Sequence, residues 1–195
     1  MKIVLKAALA LATVAGFASS AHAGEILGGV YAHDLGPADR EGGADIMLDY
    51  RTDKISYLKW IFSPEVHVMV SANTSVSTDF IAAGFSWPIA LPANFYIQPG
   101  IGLAYTTGKY DIPAVNAPGL TPAQVASRYH VYSTRIDFGD PVLFEPELAV
   151  GYHLSPKWSV EASYVHLSNG QIFHQGKNEG LDDVGVRVAY RFGVH

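Results

Sequence analysis

The sequence predicts an all-β chain, an eight-stranded antiparallel transmembrane β-barrel of the outer-membrane type. Three observations predict it. The chain opens with an export signal and afterwards holds no apolar run long enough to cross a membrane as a helix. From residue 25 onward, segments of about ten residues alternate in polarity between turn residues, which is how a membrane barrel reads in sequence. The parity opposite the apolar one carries charge: Asp45, Asp49, Glu145, Glu147, Glu161, Arg187 and Arg191.

The export signal occupies residues 1–23. Lys2 and Lys6 precede an apolar run from Ala7 to about Ala18, and Ala21-His22-Ala23 supplies a small-residue cleavage site. The run is shorter than the roughly 20 residues a spanning helix needs. Cleavage leaves residues 24–195 as the barrel domain. Loss of Lys2 and Lys6 takes the 13 basic residues to 11 against 18 acidic ones, a net charge near −7. Such a surface argues against nucleic acid as a partner. The chain has no cysteine, which excludes disulfides, thiolate nucleophiles and cysteine-held metals.

Eight segments follow in order: Glu25 to Asp34, Gly43 to Thr52, Glu65 to Thr74, Thr78 to Ile89, Asn94 to Thr107, Pro141 to Leu154, Trp158 to Asn169 and Leu181 to Phe192. In the fifth, Phe95, Ile97, Pro99, Ile101, Leu103 and Tyr105 alternate with Tyr96, Gln98, Gly100, Gly102 and Ala104. In the sixth, Val142, Phe144, Leu148 and Val150 alternate with Glu145, Glu147 and Gly151. A soluble, lipocalin-like barrel would put the apolar parity inside and leave the charges out; a small membrane barrel does the reverse. Several carboxylates and two arginines sharing the inner parity suit the membrane barrel, where Glu145, Glu147, Glu161, Arg187 and Arg191 are expected to form one buried network.

The connections orient the barrel. Leu91-Pro92-Ala93 and Ser155-Pro156-Lys157 are tight, Asp53 to Pro64 is intermediate, and Gly108 to Asp140 is a 33-residue stretch rich in Gly, Pro and Ala. Outer-membrane barrels keep short turns in the periplasm and long loops outside, so both termini are expected in the periplasm. The seventh strand then runs outward, and the eighth starts beside its end.

Residues two apart on a strand share a face. On the seventh strand Trp158, Val160, Ala162 and Tyr164 lead on one parity to His166 and Ser168; on the eighth, Asp182 precedes Val184, Val186, Val188, Tyr190 and Phe192. His166, Ser168 and Asp182 therefore interrupt the lipid-directed face at its outer edge. Same-face neighbours at i and i+2 lie about 7 Å apart, and cross-strand neighbours are also within reach. A hydroxyl, a base and an acid so placed are the parts of a serine hydrolase. The plainer reading is a strand face that turns polar at the headgroup level.

His166-Leu167-Ser168-Asn169, a polar loop, Gly180-Leu181-Asp182 and a last strand ending Tyr190-Arg191-Phe192 resemble the C-terminal hairpin of the PagL family, outer-membrane lipid A 3-O-deacylases also called acyloxyacyl hydrolases. The signal, the eight segments and Leu143-Phe144-Glu145-Pro146-Glu147-Leu148 are compatible with that resemblance. The resemblance implies that His166 is the base, Ser168 the nucleophile and Asp182 the orienting acid, with Asn169 and the Gly170 amide as candidates for the oxyanion hole. Well-known members carry Glu where Asp182 stands and a shorter hairpin loop, which makes Glu179 the alternative acid. Asp183 points to the lumen by parity, and Gly170-Gln171 replaces an Ala-Gly pair typical of the family. No cofactor is implied. The expected partners are lipid A or lipopolysaccharide as substrate and outer-membrane lipid as surroundings. The competing functions are a noncatalytic structural or adhesive barrel contacting through the 108–140 loop, and a phospholipase using the same triad.

Other polar residues read as rim, lumen or loop. His33, His67, His130, His153 and His174 show no metal-ligand spacing, so no metal site is expected. Gly28-Gly29 and Gly100-Ile101-Gly102 lie in strands with no helix after them, so they form no nucleotide loop.

Overall fold

Period-two alternation over most of the chain becomes a closed sheet. The structure is a computed structural model that describes residues 23–36, 39–172 and 175–193; the expected signal over 1–23 lies, but for Ala23, outside them, as does His174. The strands are β1 (Gly24–Ala32), β2 (Ala44–Thr52), β3 (Glu65–Asn73), β4 (Phe80–Ser86), β5 (Ile89–Ala90), β6 (Phe95–Thr106), β7 (Val142–His153), β8 (Trp158–Leu167) and β9 (Leu181–Phe192). β5 resumes β4 after Trp87-Pro88 and pairs with the same neighbour, β6, so the barrel has eight staves. Neighbours run β4-β3-β2-β1-β9-β8-β7-β6, and β4 pairs with β6 to close the ring. Closure removes every sheet edge, which lipid could not have satisfied.

The start of β1, the end of β9 and the connections 53–64, 91–94 and 154–157 gather at one end; the other connections gather at the opposite end. These are called the turn end and the loop end. Outward parity is apolar as expected: Val30, Ile46, Leu103, Leu148, Val150, Val186 and Val188 are exposed. Aromatic pairs Phe95–Tyr152, Trp158–Tyr190 and Tyr50–Phe192, with ring centroids 5.0, 4.8 and 6.3 Å apart, ring the turn end. Such girdles sit at a membrane–water interface.

The lumen has two layers. Near the turn end and the middle it is ionic. Arg187 reaches Glu161 at 2.5 Å, Glu147 at 3.1 Å and Asp49 at 3.5 Å, while Arg51 reaches Glu161 at 2.8 Å and Asp49 at 3.3 Å. His67 meets Glu145 at 3.0 Å, and the Tyr96 hydroxyl donates to Glu161 at 2.7 Å. The expected network is thus present but differs in membership. Arg51 and His67 belong to it, and Arg191 does not. Arg191 stands directly across from Glu25 in the β1–β9 register, at the turn end, and pairs with it at 2.9 Å.

Towards the loop end an apolar cluster lies beside buried His33, Asp45 and Asp183. Tyr31, Met47, Met69, Phe80, Leu143, Val165, Leu167 and Leu181 enclose Ile136 and Phe138, which the long loop folds back into the barrel mouth. That loop also contains a helix, α1 (Pro122–Thr134), which the sequence reading did not anticipate. Thr121 caps it by accepting from Gln124 N, Gln124 caps Thr121 N in return, and Pro122 opens it. No residue of α1 is buried.

Candidate active site

At the loop end of the β8–β9 pair, His166 and Asp182 are register partners, directly opposite each other on the outward face. His166 Nδ1 lies 2.7 Å from Asp182 Oδ1, with 29% and 18% of the two side chains exposed. An ionised carboxylate only accepts, so Nδ1 carries a proton, and in the neutral ring Nε2 is the acceptor. The Tyr164 hydroxyl, two residues before His166 on the same face, donates to the same Asp182 oxygen at 2.5 Å. Two donors on one oxygen fix the carboxylate and, through it, the plane of the imidazole.

Loops close on this pair from both sides. A Cβ on Gly180 would come within 2.6 Å of His166 Cε1 and 3.3 Å of Nε2. A Cβ on Gly36 would stand 2.4 Å from Asp182 Oδ2, and Leu35 N donates to the Asp182 carbonyl at 2.8 Å. Neither position tolerates a side chain without moving the pair. Parity alone would have found Tyr164; the glycines could not be seen without the fold.

Ser168 follows the end of β8 and keeps the outward parity of His166. Its backbone exchanges two hydrogen bonds with Phe144, N to O at 3.2 Å and O from N at 2.7 Å. Between this bridge and the regular β7–β8 ladder, which starts at Glu147 opposite Val165 in the same register, Pro146 faces His166. Proline has no N–H to give, so the ladder lapses beside His166. Among the described residues no hydrogen bond joins the Ser168 hydroxyl to His166 Nε2. Such bonds commonly tighten only when substrate is present.

A profile of the family described as lipid A 3-O-deacylase (PagL) matches residues 45–191, well over half of the chain. The chain belongs to the PagL family. Among solved structures, the crystal structure of the outer membrane enzyme PagL is similar at TM-score 0.55 and 15% identity, covering 85% of this chain and 98% of that one. De novo designed transmembrane β-barrels match at TM-score 0.51 and 11% identity, covering 89% and 98%. The crystal structure of Neisserial surface protein A matches at 0.50 and 13%, covering 87% and 97%. At these identities the likeness speaks for the fold, an outer-membrane-type barrel. No curated protein sequence matches the chain.

The remaining site candidates of this PagL-family chain sort by their partners. Glu179 accepts from Arg40 at 2.8 Å and from Asp137 N at 2.9 Å, away from His166. Asp183 is buried in the lumen beside His33. Both amide hydrogens of Asn169 are committed, to the carbonyls of Phe138 and Lys177 at 2.7 Å each, and its Oδ1 accepts from Gln171 N at 2.6 Å. Asn169 thus fastens the loop that follows Ser168. The Gly170 N–H, on a left-handed residue at φ 60°, bonds to nothing among the described residues. A cleft of about 760 Å³ lined by Ile112, Val115, Tyr129, Tyr132, Lys177 and Glu179 opens on the loops; none of His166, Ser168 and Asp182 lines it.

Of the other histidines, His67 is luminal, His130 is exposed on α1 and His153 stacks on Tyr96 at 4.6 Å. His33 is luminal, with acidic partners from distant segments. It is buried among Asp45, Asp183 and Glu41, drawn from β2, β9 and the 33–43 loop, a set that linear spacing could not reveal.

Proposed function

We propose that this chain is an outer-membrane serine esterase that hydrolyses an ester-linked 3-hydroxyacyl chain of lipid A, with Ser168, His166 and Asp182 as its triad. The observation that carries this reading is the 2.7 Å His166–Asp182 bond on the lipid-directed face, with Ser168 next along that face. The loop end faces outward in this reading, because the long connections lie there. The acyl chain of lipid A already lies in the bilayer, so a triad at the headgroup level meets the ester from the side. The lipid need not be extracted.

Ser168 Oγ attacks the acyl carbonyl while His166 Nε2 takes its proton; Asp182 stabilises the imidazolium that forms. The negative oxygen of the tetrahedral intermediate is assigned to the Gly170 N–H, the uncommitted donor two residues beyond the nucleophile. Collapse breaks the ester bond, and the histidine returns the proton to the departing sugar oxygen. Water, deprotonated by His166, then attacks the acyl-serine, and the fatty acid leaves with Ser168 restored.

The test is mass spectrometry of lipid A from cells expressing the intact protein or Ser168→Ala at equal folded levels. Loss of one hydroxyacyl chain with the intact serine alone supports the esterase. Unchanged lipid A with cleaved phospholipid selects a phospholipase, and no change in either selects a structural or adhesive barrel.

A further inference from the structure

Directly behind Asp182, on the luminal side of β9, is a second cluster with a different chemistry. His33 Nδ1 lies 2.9 Å from Asp45 Oδ2 and 3.5 Å from Asp183 Oδ1, and one ligand-type atom of each residue falls within 4.8 Å of the other two. All three are buried, exposed by 4%, 0% and 1%. Glu41 approaches from the 33–43 loop, 3.3 Å from His33 Nε2, and is buried as well. The cationic side chain on this group is Arg135, which bonds Glu41 at 2.7 Å. Asn73 of β3 donates to Asp45 Oδ1 at 2.9 Å but brings no charge.

Three carboxylates, Asp45, Asp183 and Glu41, against one arginine and one histidine leave negative charge in excess in a region closed to solvent, where uncompensated charge is costly. Two further observations point to a ligand. Asp183 is 1% exposed, and its Oδ2 bonds to nothing among the described residues. One carboxylate oxygen of Asp45 and one of Asp183 also lie within 4.8 Å of each other. Two ionised carboxylates have only acceptors to offer each other, so such a contact calls for a cation or a proton between them.

We propose that His33, Asp45 and Asp183 bind a single first-row divalent cation of the Zn²⁺ type. One imidazole nitrogen with carboxylate oxygens suits such an ion better than Ca²⁺, which takes oxygen throughout. The size fits too. Ligands about 2.1 Å from a tetrahedral Zn²⁺ stand about 3.4 Å apart, and His33 Nδ1 is 2.9 and 3.5 Å from its two partners. The ion ties the 33–43 loop to the start of β9. That loop already holds Asp182 through Leu35 N and the bare Cα of Gly36, and it reaches Asp183 through Asp34 N at 3.3 Å. The site is independent of the triad's own chemistry.

The rival occupant is a proton. The Asp45 and Glu41 carboxylates, 2.9 and 3.3 Å from the two ring nitrogens of His33, favour a protonated ring. Zn²⁺ has to displace that proton, which supplies a readout.

The folded barrel, freed of metal by chelation in detergent, is titrated calorimetrically with zinc chloride in buffers of different ionisation enthalpy. The expected result is one equivalent bound with a buffer-dependent heat that reports proton release. Asp183→Asn should weaken binding at least 100-fold, whereas His130→Gln should leave it unchanged. Gel mobility before and after heating shows whether each variant is folded. Should Asp183→Asn fail to fold, Co²⁺ added to the unaltered protein decides: intense visible absorption of a tetrahedral N/O site supports the proposal. Absence of saturable Zn²⁺ uptake, unchanged binding in folded Asp183→Asn, or a weak octahedral Co²⁺ spectrum overturns it in favour of the shared proton.

Discussion

Arg187→Met removes the cation that bridges the lumen and keeps most of its volume. Arg187 is 2% exposed and serves three carboxylates, Glu161 at 2.5 Å, Glu147 at 3.1 Å and Asp49 at 3.5 Å. Arg51 remains after the change, on Glu161 at 2.8 Å and Asp49 at 3.3 Å, so two of the three acids keep a cation and Glu147 retains only a contact at 3.7 Å. Breaking a buried pair by removing one partner costs about 3–5 kcal/mol. With a urea dependence of about 2 kcal/mol per molar, that lowers the unfolding midpoint by roughly 1.5–2.5 M. Arg191→Met supplies the comparison, because its pair with Glu25 is 36% exposed on the arginine side. A pair so open to solvent contributes at most about 1 kcal/mol, a shift of no more than about 0.5 M. The assay is urea unfolding in detergent followed by tryptophan fluorescence and gel mobility, with deacylation measured on the folded fraction. Equal midpoints for the two variants would refute the assignment of Arg187 to the luminal network and of Arg191 to the open pair.

Asp182→Asn should slow acyl release by about 10²–10³-fold, less than the roughly 10⁴-fold known for a buried soluble triad, because this carboxylate is 18% exposed and water can partly substitute. Glu179→Gln and Asp183→Asn should leave turnover within a few fold in folded protein; a collapse in Glu179→Gln instead would move the acid into the loop. Gly180→Ala drives a methyl to 2.6 Å from His166 Cε1, and a displacement of about 1 Å costs on the order of 10²-fold in rate, so kcat should fall while the urea midpoint holds. A cysteine at exposed Ala126 of α1 should react with an impermeant thiol reagent on whole cells and one at Pro156 should not; the reverse pattern inverts the barrel.

The strands were legible because lipid on one side and a packed lumen on the other force strict alternation, as in β6 and β7. The same parity placed His166 and Asp182 on one face, where the register makes them direct partners. Arg51 is equally legible, since it shares the inner parity of Asp45 and Asp49. Arg191 shows what parity lacks: it gives the face but not the depth, and Arg191 lies where only Glu25 is within reach. The helix α1 had a local signature in Thr121-Pro122-Ala123-Gln124, masked by the Gly, Pro and Ala content around it. The mouth plug of Ile136 and Phe138 and the cluster around His33 had none, since each depends on chain segments that meet only once the barrel closes.

The filled lumen also has an electrical meaning. Arginine side chains span the barrel at mid-height, each bonded to acids on facing strands, and a layer of Leu, Met and Phe with Ile136 and Phe138 seals the mouth above them. Among the described residues, paired charges and the apolar plug occupy the interior, which opposes the passage of ions and small solutes. A planar bilayer holding this protein should carry no more current than the bare lipid. A cell can therefore place the barrel in its outer envelope without weakening the permeability barrier that envelope provides.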